Sequence, residues 1–451
     1  MPAPTWQRRP EVDLRDSARQ ARQAARQLAL STGAQRDAGL EAIALALEAR
    51  REEILAANRQ DLENAAALVA RGELAQPLVK RLDLGGKKFA AMVEMVRSVR
   101  GRADPLGRTL TATELDTGLR LFRVSVPIGV IGVIFESRPD ALVQIAALCL
   151  KAGNAVLLKG GREAARTNQV LYEVIATATA RAGLPPGWIW LLETREEVKG
   201  LLALDEYLDL IIPRGSNEFV RYIMENTRIP VTGHADGICH VYVDQAADLD
   251  KALRISVDAK TQYVAVCNAA ETLLVHRDIA AAFLARAVPA LREKKVELRG
   301  DALAAGLVPG AFAPATEEDW RTEYLDYILA VRVVDSLEQA VEHINHYGSH
   351  HTDAIVTEDP ASASRFLQAV DSASVIHNAS TRFADGFRYG LGAEVGISTG
   401  RLHSRGPVGL EGLTSYKYIL EGDGHTVDDF EGAHPRPYAH HPLTSTWRPA
   451  E

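Results

Sequence analysis

The chain has 451 residues, of which 47% are hydrophobic and 24% are charged. This length and composition indicate two or three folded domains with full cores and exclude wholesale disorder. The formal net charge of −8 argues against a nucleic-acid-binding protein, and the lack of a transmembrane-length apolar run argues against a membrane protein.

The first part of the chain is predicted to be helical. Apolar residues recur at helical spacing over residues 18–28 and again over residues 40–47, and Ser31-Thr32-Gly33 separates the two runs. No apolar segment follows the arginines of the first ten residues, so we expect no signal peptide and a cytoplasmic protein.

From Leu121 onward, short apolar strands alternate with helices. The first series of strands ends in the apolar segment 239–244, and a second α/β unit begins near Asp248. This alternation predicts an α/β fold with a doubly wound parallel sheet. Ligands of such sheets bind at the carboxyl ends of the strands.

Three cysteines without CxxC or zinc-ligand spacing indicate reduced thiols, with neither a disulfide scaffold nor a metal site. Cys149 and Cys239 lie in apolar segments and are predicted to be core residues. Cys267, in Val-Cys-Asn-Ala, has small and polar neighbours and is a candidate nucleophile, with simple packing as the alternative.

Two strand-to-helix corners carry groups suited to phosphate. Lys159-Gly160-Gly161-Arg162 combines open backbone with two cations, and an ordinary turn with solvated cations is the alternative. In the corner at 213–217, Ser216 is predicted to cap a helix and can also lie beside a pyrophosphate. A polar cluster at 136–140 follows a strand, and Arg405 lies in a glycine-rich segment as a further candidate anion contact.

In this order, five strings resemble the aldehyde dehydrogenase superfamily, and within it the branch that reduces gamma-glutamyl phosphate. They are residues 126–140 (VPIGVIGVIFESRPD), 153–168 (GNAVLLKGGREAARTN), 232–244 (TGHADGICHVYVD), 266–276 (VCNAAETLLVH), and 390–395 with 405–417 (GLGAEV and RGPVGLEGLTSYK). The resemblance extends from about Asp13 to Leu420.

The resemblance implies NADPH-dependent reduction of L-glutamyl 5-phosphate to L-glutamate 5-semialdehyde, with release of phosphate, in proline biosynthesis. It implies a homo-oligomer and names a glutamate kinase as a candidate partner. By the same resemblance, the domains are an NADP(H)-binding domain (1–108 and 122–245), a catalytic domain (246–403), an oligomerisation element (109–121 and 404–421) and a flexible tail (422–451).

The resemblance also assigns roles to individual residues. Cys267 matches the nucleophile that forms a thioester, and Glu323 matches the glutamate on the nicotinamide ribose. Lys159 and Gly161 match the adenosine-ribose corner, and Gly215-Ser216 matches the pair near the pyrophosphate. Arg162 stands where a cation suits the 2′-phosphate of NADP(H). For the substrate phosphate or carboxylate, we consider Arg138 and Arg405.

One departure from the superfamily bears on the reaction. Aldehyde-oxidising relatives carry a glutamate that activates water, and residues 232–237 (TGHADG) lack it. A reductive enzyme must keep its thioester from water, so this absence favours reduction. Because phosphate is a good leaving group, we expect a lowered thiol pKa rather than a strong general base. The alternatives are an NAD(P)-dependent dehydrogenase that oxidises a semialdehyde and a catalytically dead nucleotide-binding protein.

Overall fold

The computed structural model describes residues 13–72, 76–135, 138–192, 195–215, 217–233 and 236–448. It begins with the helices α1 (Leu14–Leu28), α2 (Gly33–Ala49), α3 (Arg51–Ala70), α4 (Gln76–Leu82) and α5 (Lys87–Arg100). Asp13 caps α1, and Thr32 and Gln35 form a capping box at the start of α2. The apolar faces predicted within residues 18–28 and 40–47 are buried, which confirms both helices.

A β-hairpin separates these helices from the first sheet. Its strands are β1 (Thr109–Asp116) and β2 (Leu119–Pro127), which pair antiparallel. Only Thr117 and Gly118 connect them, and Gly118 has φ +80°, a backbone conformation that favours glycine.

A parallel sheet follows, in which strands and helices alternate. They are β3 (Val130–Phe135), α6 (Pro139–Lys151), β4 (Ala155–Lys159), α7 (Ala165–Arg181), β5 (Ile189–Leu192), α8 (Arg195–Leu202), β6 (Leu210–Arg214) and α9 (Asn217–Glu225). The strand order is β5-β4-β3-β6. Strands β3 and β4 are buried along their whole length because helices cover both faces, as is typical of parallel sheets.

The second parallel sheet contains the rest of the α/β units. They are β7 (Cys239–Val243), α10 (Leu249–Thr261), β8 (Ala270–His276), α11 (Arg277–Glu293), β9 (Glu297–Gly300), α12 (Ala302–Leu307), β10 (Ala313–Pro314), β11 (Ile328–Val334), α13 (Leu337–Tyr347), β12 (Thr352–Val356), α14 (Pro360–Ala369) and β13 (Ser374–His377). Their order in the sheet is β10-β9-β11-β8-β7-β12-β13. Strand β8 is the central strand of the seven and pairs with β11 on one side and β7 on the other. The end of the loop that precedes β8 is therefore held in place by this pairing.

Strand pairing corrects one predicted boundary. The sequence assigned residues 122–245 to the nucleotide-binding unit, but β7 pairs with β8 and β12 in the second sheet. Every residue of β7 is buried, so its composition fits the centre of either sheet. The long-range pairing, which composition does not encode, decides where it belongs.

The last part of the chain returns to the hairpin. It contains β14 (Ile397–Ser398), β15 (Gly406–Pro407), β16 (Thr414–Glu421), α15 (Asp428–Glu431) and β17 (His441–Pro442). Strand β16 pairs with β2 along its whole length, and most of the β2 residues involved belong to the range 122–245 that the sequence assigned to the nucleotide-binding unit. That segments 109–121 and 404–421 form one oligomerisation element stays a prediction. In that sheet the strand order is β16-β2-β1-β17.

The segment after residue 421 makes more contacts than the flexible tail that we expected. Strand β17 pairs with β1, and the Trp447 indole N–H donates to Glu421 at 3.1 Å. Phe430 stacks on Tyr438 with ring centroids 4.4 Å apart. Apolar contacts of Trp447 and the pairing of β17 therefore hold the segment against the hairpin. The many polar and small residues of the segment did not predict these contacts.

Breaking a buried ion pair in the helical layer is expected to destabilise the fold. Arg36 is 2% exposed and both oxygens of Asp104 accept from its Nη2, at 2.8 and 2.6 Å. Asp104→Asn leaves the buried guanidinium without its carboxylate and should cost about 1–3 kcal/mol in denaturant unfolding. The control Glu206→Gln removes an exposed partner of Arg15 and should change stability by less than about 1 kcal/mol. Equal effects of the two substitutions would contradict the prediction.

Candidate active site

The edges of the two sheets meet at Cys267. This residue lies in the loop between α10 and β8, at the amino end of β8. From the first sheet, Asn217 at the start of α9 donates one amide nitrogen to Glu323 at 3.0 Å and to Asp236 at 2.6 Å. Glu323 precedes β11 and Asp236 precedes β7, so the amino edge of the second sheet faces the carboxyl edge of the first.

The Cys267 loop is held by contacts from several directions. The Cys239 thiol lies 3.2 Å from the backbone oxygen of Cys267 and donates to it. The Asn268 amide donates to the backbone oxygen of Ala384 at 2.8 Å. From α4, Arg81 donates to the backbone oxygen of Ala265 at 2.8 Å. Cys239 is fully buried, which confirms its predicted core position and adds a supporting role for its thiol.

Gly237 permits close contact between two backbone segments at the nucleophile. A Cβ on Gly237 would lie 2.3 Å from the oxygen of Cys267 and 2.6 Å from its Cβ, which no side chain can adopt. The backbone N–H of Gly237 also donates to the carboxylate of Glu323. Only glycine at this position brings the chain before β7 against both Cys267 and Glu323.

The surroundings of Cys267 oppose thiolate formation. Burial raises the pKa of its thiol to about 12, and the carboxylates of Glu323 and Glu394 add to the rise. Arg214 acts in the opposite direction. The expectation of a lowered thiol pKa is therefore wrong, because desolvation outweighs the cation.

Arginines converge on the same region. Arg214 ends β6, and its buried Nη1 has no hydrogen-bond partner among the described residues. Burial lowers the pKa of Arg214, and so does the charge of Arg138. Arg382 is 7% exposed and donates from Nε to Gln262 at 3.0 Å, and burial, followed by Arg388, lowers its pKa. Buried cations with spare donors suit an anionic ligand.

Glu394 completes the charged groups around the thiol. Its Oε2 accepts from the backbone N–H of Gly386 at 2.8 Å. Burial raises its pKa, while Arg214 and Arg138 lower it. Arg214, Asn217 and Glu394 lie in predicted motifs but had no predicted role, and Arg382 was not predicted at all. Their position next to a strand end or in a glycine-rich loop was the available signal.

The predicted nucleotide-binding residues lie at the carboxyl edge of the first sheet. Lys159 ends β4 with its side chain 7% exposed and donates to the backbone oxygen of Gly160. Arg162 and Gly215 are exposed, and the Glu163 carboxylate lies over the open side of Gly161. Ser216 lies outside the described residues, so its predicted role stays a prediction.

The two arginines predicted for the substrate differ in their surroundings. Arg138 pairs with Asp140 at 2.9 Å and also faces Glu394 and Arg214. Arg405 donates to the Asp371 carboxylate at 2.9 Å and to the Asp371 backbone oxygen at 3.2 Å. The structure therefore links Arg138 to the Cys267 region and joins Arg405 to Asp371; the predicted binding role of each stays a prediction.

Within the part of the chain that the structure describes, no helix is long and apolar enough to cross a membrane. Over the same residues, His, Cys, Asp and Glu side chains form no group of three or more that could hold a metal ion.

Comparison with known proteins agrees with this architecture. The sequence profile of the Aldehyde dehydrogenase family matches residues 4–326. Gamma-glutamyl phosphate reductase of Synechococcus sp. (strain JA-2-3B'a(2-13)) is 60% identical over 421 residues, which is 93% of this chain and 92% of the relative. The enzyme of that name from Natronomonas pharaonis is 57% identical over 429 residues, or 95% of this chain and 98% of the relative.

A solved structure extends the similarity to three dimensions. The crystal structure of gamma-glutamyl phosphate reductase from Thermotoga maritima has a TM-score of 0.88 and 42% identity, and the match covers 92% of this chain and 99% of that one. Taken with the two facing sheets and the cysteine between them, these matches show that the chain belongs to the aldehyde dehydrogenase family, in its gamma-glutamyl phosphate reductase branch.

Proposed function

We propose that this chain reduces L-glutamyl 5-phosphate to L-glutamate 5-semialdehyde, with release of phosphate, as a step of proline biosynthesis. The relatives that cover nearly the whole chain are named for this reaction. The observation that carries the proposal is the charge interaction of the Cys267 thiol with Arg214, whose buried Nη1 has no hydrogen-bond partner in the described part of the chain. A nucleophile next to a buried cation suits an acyl group that bears a phosphate.

The aldehyde dehydrogenase fold implies a nicotinamide cofactor, and the residues at the sheet edge fit one. Gly215, which is exposed before α9, is a proposed pyrophosphate contact, and the Lys159 ammonium lies at the end of β4. Glu323, oriented by Asn217 and by Gly237 N–H, is available for ribose hydroxyls. We propose NADPH, with Arg162 on its 2′-phosphate. When bound, this cofactor supplies a hydride to the acyl carbon.

The first chemical step forms a thioester on Cys267. The sulfur attacks the acyl carbon, the carbon–oxygen bond to phosphate breaks, and the leaving phosphate takes the thiol proton to depart as hydrogen phosphate. The phosphate itself can therefore accept the proton that the raised pKa of Cys267 retains. Arg214 and Arg382 are the proposed groups that stabilise charge developing on the phosphate, and the Cys267 N–H is the proposed donor to the acyl oxygen.

The protein then has to keep water from the thioester. Residues 232–237, which lack the water-activating glutamate of the oxidising relatives, contain Asp236 as their acidic residue, and its carboxylate accepts from Asn217 and Arg221. Reduction of the thioester takes up a hydride at the acyl carbon and one proton from solvent at the acyl oxygen, which gives a hemithioacetal on Cys267. Its carbon–sulfur bond then breaks and its hydroxyl proton passes to the sulfur, so the aldehyde leaves and the thiol is restored. Arg138 is the first proposed contact for a substrate anion, although it pairs with Asp140. Arg405 is the second, because its guanidinium already pairs with Asp371 and, within the described residues, is not linked to the Cys267 region.

The sheet of β1, β2 and β16 is proposed as the oligomerisation element. Strand β16 forms one edge of that sheet and exposes Tyr416, Tyr418 and Leu420 by 49%, 61% and 57%. An exposed apolar edge strand is a ready surface for a second copy. The proposed domains are then the nucleotide unit up to β6 and α9, the catalytic unit from β7, and this element. A homo-oligomer in the cytoplasm, with a glutamate kinase as partner, completes the proposal.

The reverse reaction should depend on inorganic phosphate. Because residues 232–237 lack the glutamate that activates water in oxidising relatives, we expect the acyl-enzyme formed from the semialdehyde and NADP⁺ to need phosphate as acceptor. We expect sustained NADP⁺ reduction with phosphate or arsenate and only a single turnover without either. Cys267→Ala should be inactive, whereas Cys149→Ala, at a fully buried site away from the loop, should retain activity. Sustained turnover to glutamate in phosphate-free buffer would instead indicate a hydrolytic dehydrogenase, and no turnover under any condition would indicate a dead binding protein.

The alkylation rate of Cys267 should report its charged neighbours. Because its pKa is about 12, the rate with iodoacetamide should rise about tenfold per pH unit from pH 7 to 10. Arg214→Met removes a cation that lowers the pKa and should slow alkylation at fixed pH. Glu394→Gln removes a carboxylate that raises the pKa and should accelerate it. Rates are measured by mass spectrometry on the Cys267 peptide, and the same direction of change in both variants would contradict the electrostatic account.

Arg162→Glu should discriminate between the two nicotinamide cofactors. Loss of a charge-assisted contact to the 2′-phosphate corresponds to roughly 1.5–3 kcal/mol, so NADPH should bind about 10- to 100-fold more weakly while NADH changes little. Arg181→Glu, an exposed change at the last residue of α7, the helix that follows the Arg162 corner, is the matched control. Dissociation constants come from calorimetry, and equal losses for both cofactors would remove Arg162 from the phosphate site.

A further inference from the structure

A buried ion pair joins the two ends of the Cys267 loop. Lys260 lies in the last turn of α10, and Glu271 is the second residue of β8. Their side chains are 0% exposed, and Lys260 Nζ lies 2.5 Å from Glu271 Oε2. The pair therefore ties the helix before Cys267 to the strand after it.

The second oxygen of Glu271 reaches the segment that carries Glu323. Glu271 Oε1 accepts from the backbone N–H of Leu325 at 3.3 Å. Leu325 has φ +53°, a conformation that is costly for a leucine and that surrounding contacts must hold. The residue two positions earlier is Glu323, so this bond fixes the backbone from which Glu323 projects.

The residue between them is held from the other side. Lys260 Nζ lies 5.9 Å from the centroid of the Tyr324 ring. The Tyr324 hydroxyl donates to Asp319 Oδ1 at 2.7 Å, and Asp319 in turn pairs with Arg299 at 2.8 Å. Lys260 thus approaches the Tyr324 ring, and Glu271 bonds the Leu325 backbone.

We propose that the buried Lys260–Glu271 pair is a positioning element, which ties the Cys267 loop and, through Leu325, sets Glu323 for the cofactor. The inference rests on the proposed function for the role of Glu323. The positioning of the Glu323 side chain can nevertheless be tested independently of which substrate is reduced.

The test compares two double variants that both remove the buried charges. Lys260→Met with Glu271→Gln keeps an oxygen that can accept from Leu325 N–H, and Lys260→Met with Glu271→Leu removes it. We expect the Leu variant to bind NADPH about tenfold more weakly than the Gln variant, the equivalent of one ordinary hydrogen bond. Its kcat should fall by a similar factor, with little change in the KM for glutamyl phosphate.

Repeating the pair in a Glu323→Ala background separates positioning from general structure. If the pair acts through Glu323, the tenfold ratio between the Gln and Leu variants should fall to about one when Glu323 is absent. A ratio that is the same in both backgrounds, or no difference between the variants when Glu323 is present, overturns the proposal. Binding is measured by calorimetry and needs no turnover, so failure of the proposed substrate leaves this test intact.

A matched control removes another buried lysine pair. Lys151 is 1% exposed and lies 2.5 Å from Asp37, between α6 and α2 and away from the Cys267 loop. Lys151→Met with Asp37→Leu should lower the thermal midpoint without changing NADPH affinity. If Glu271→Leu prevents folding, Lys260→Met with Glu271→Thr replaces it, because the shorter threonine side chain does not reach Leu325 N–H. The ratio of NADPH affinities between the Gln and Thr variants, with and without Glu323, then decides the outcome.

Discussion

The partly buried position of the Cys267 thiol between two sheet edges is the constraint on which the rest of the site depends. Desolvation favours the neutral thiol, and it also protects a thioester from water. The low local dielectric also strengthens Coulomb interactions, so the charges of Glu323, Glu394 and Arg214 shift the thiol pKa more than they would in water. A protonated thiol is a poor nucleophile, but the leaving phosphate can accept its proton. The first step can therefore proceed although the thiol pKa is high.

Rigid elements supply the precision that such a site needs. The groups around Cys267 come from segments far apart in the chain: Arg214 ends a strand of one sheet, and Gly237 and Glu323 precede strands of the other. Parallel strands present their ends at one edge, so two facing sheets bring these groups together without long loops. Gly237 adds a steric condition, because its missing side chain is what allows the backbone of β7 to approach the nucleophile.

Local patterns predicted much of this fold, and long-range pairing explains what they missed. Helical periodicity located the buried faces of α1 and α2, and the apolar surroundings of Cys149 and Cys239 distinguished them from Cys267. The partners of β7 were not predictable, because a fully buried strand fits either sheet. The direction of the Cys267 pKa shift depends on burial and on Glu394, which lies 127 residues further along the sequence. Aromatic contacts of Trp447 with the hairpin were likewise invisible in a polar segment.

The Lys260–Glu271 pair raises the question of why a charged pair remains in the core of the second sheet. Taking both groups from water costs several kcal/mol, and apolar residues of similar size often stabilise a core equally well. In the pairs of Arg36 and Lys151, the carboxylate keeps 36% of its side-chain surface exposed, so the cost there is lower. The Glu271 side chain is fully buried, so solvent does not lower its desolvation cost. Both of its carboxylate oxygens nevertheless accept a hydrogen bond, one from Lys260 and one from Leu325 N–H. A carboxylate can bridge two segments in this way and a leucine cannot, so position rather than stability accounts best for the pair.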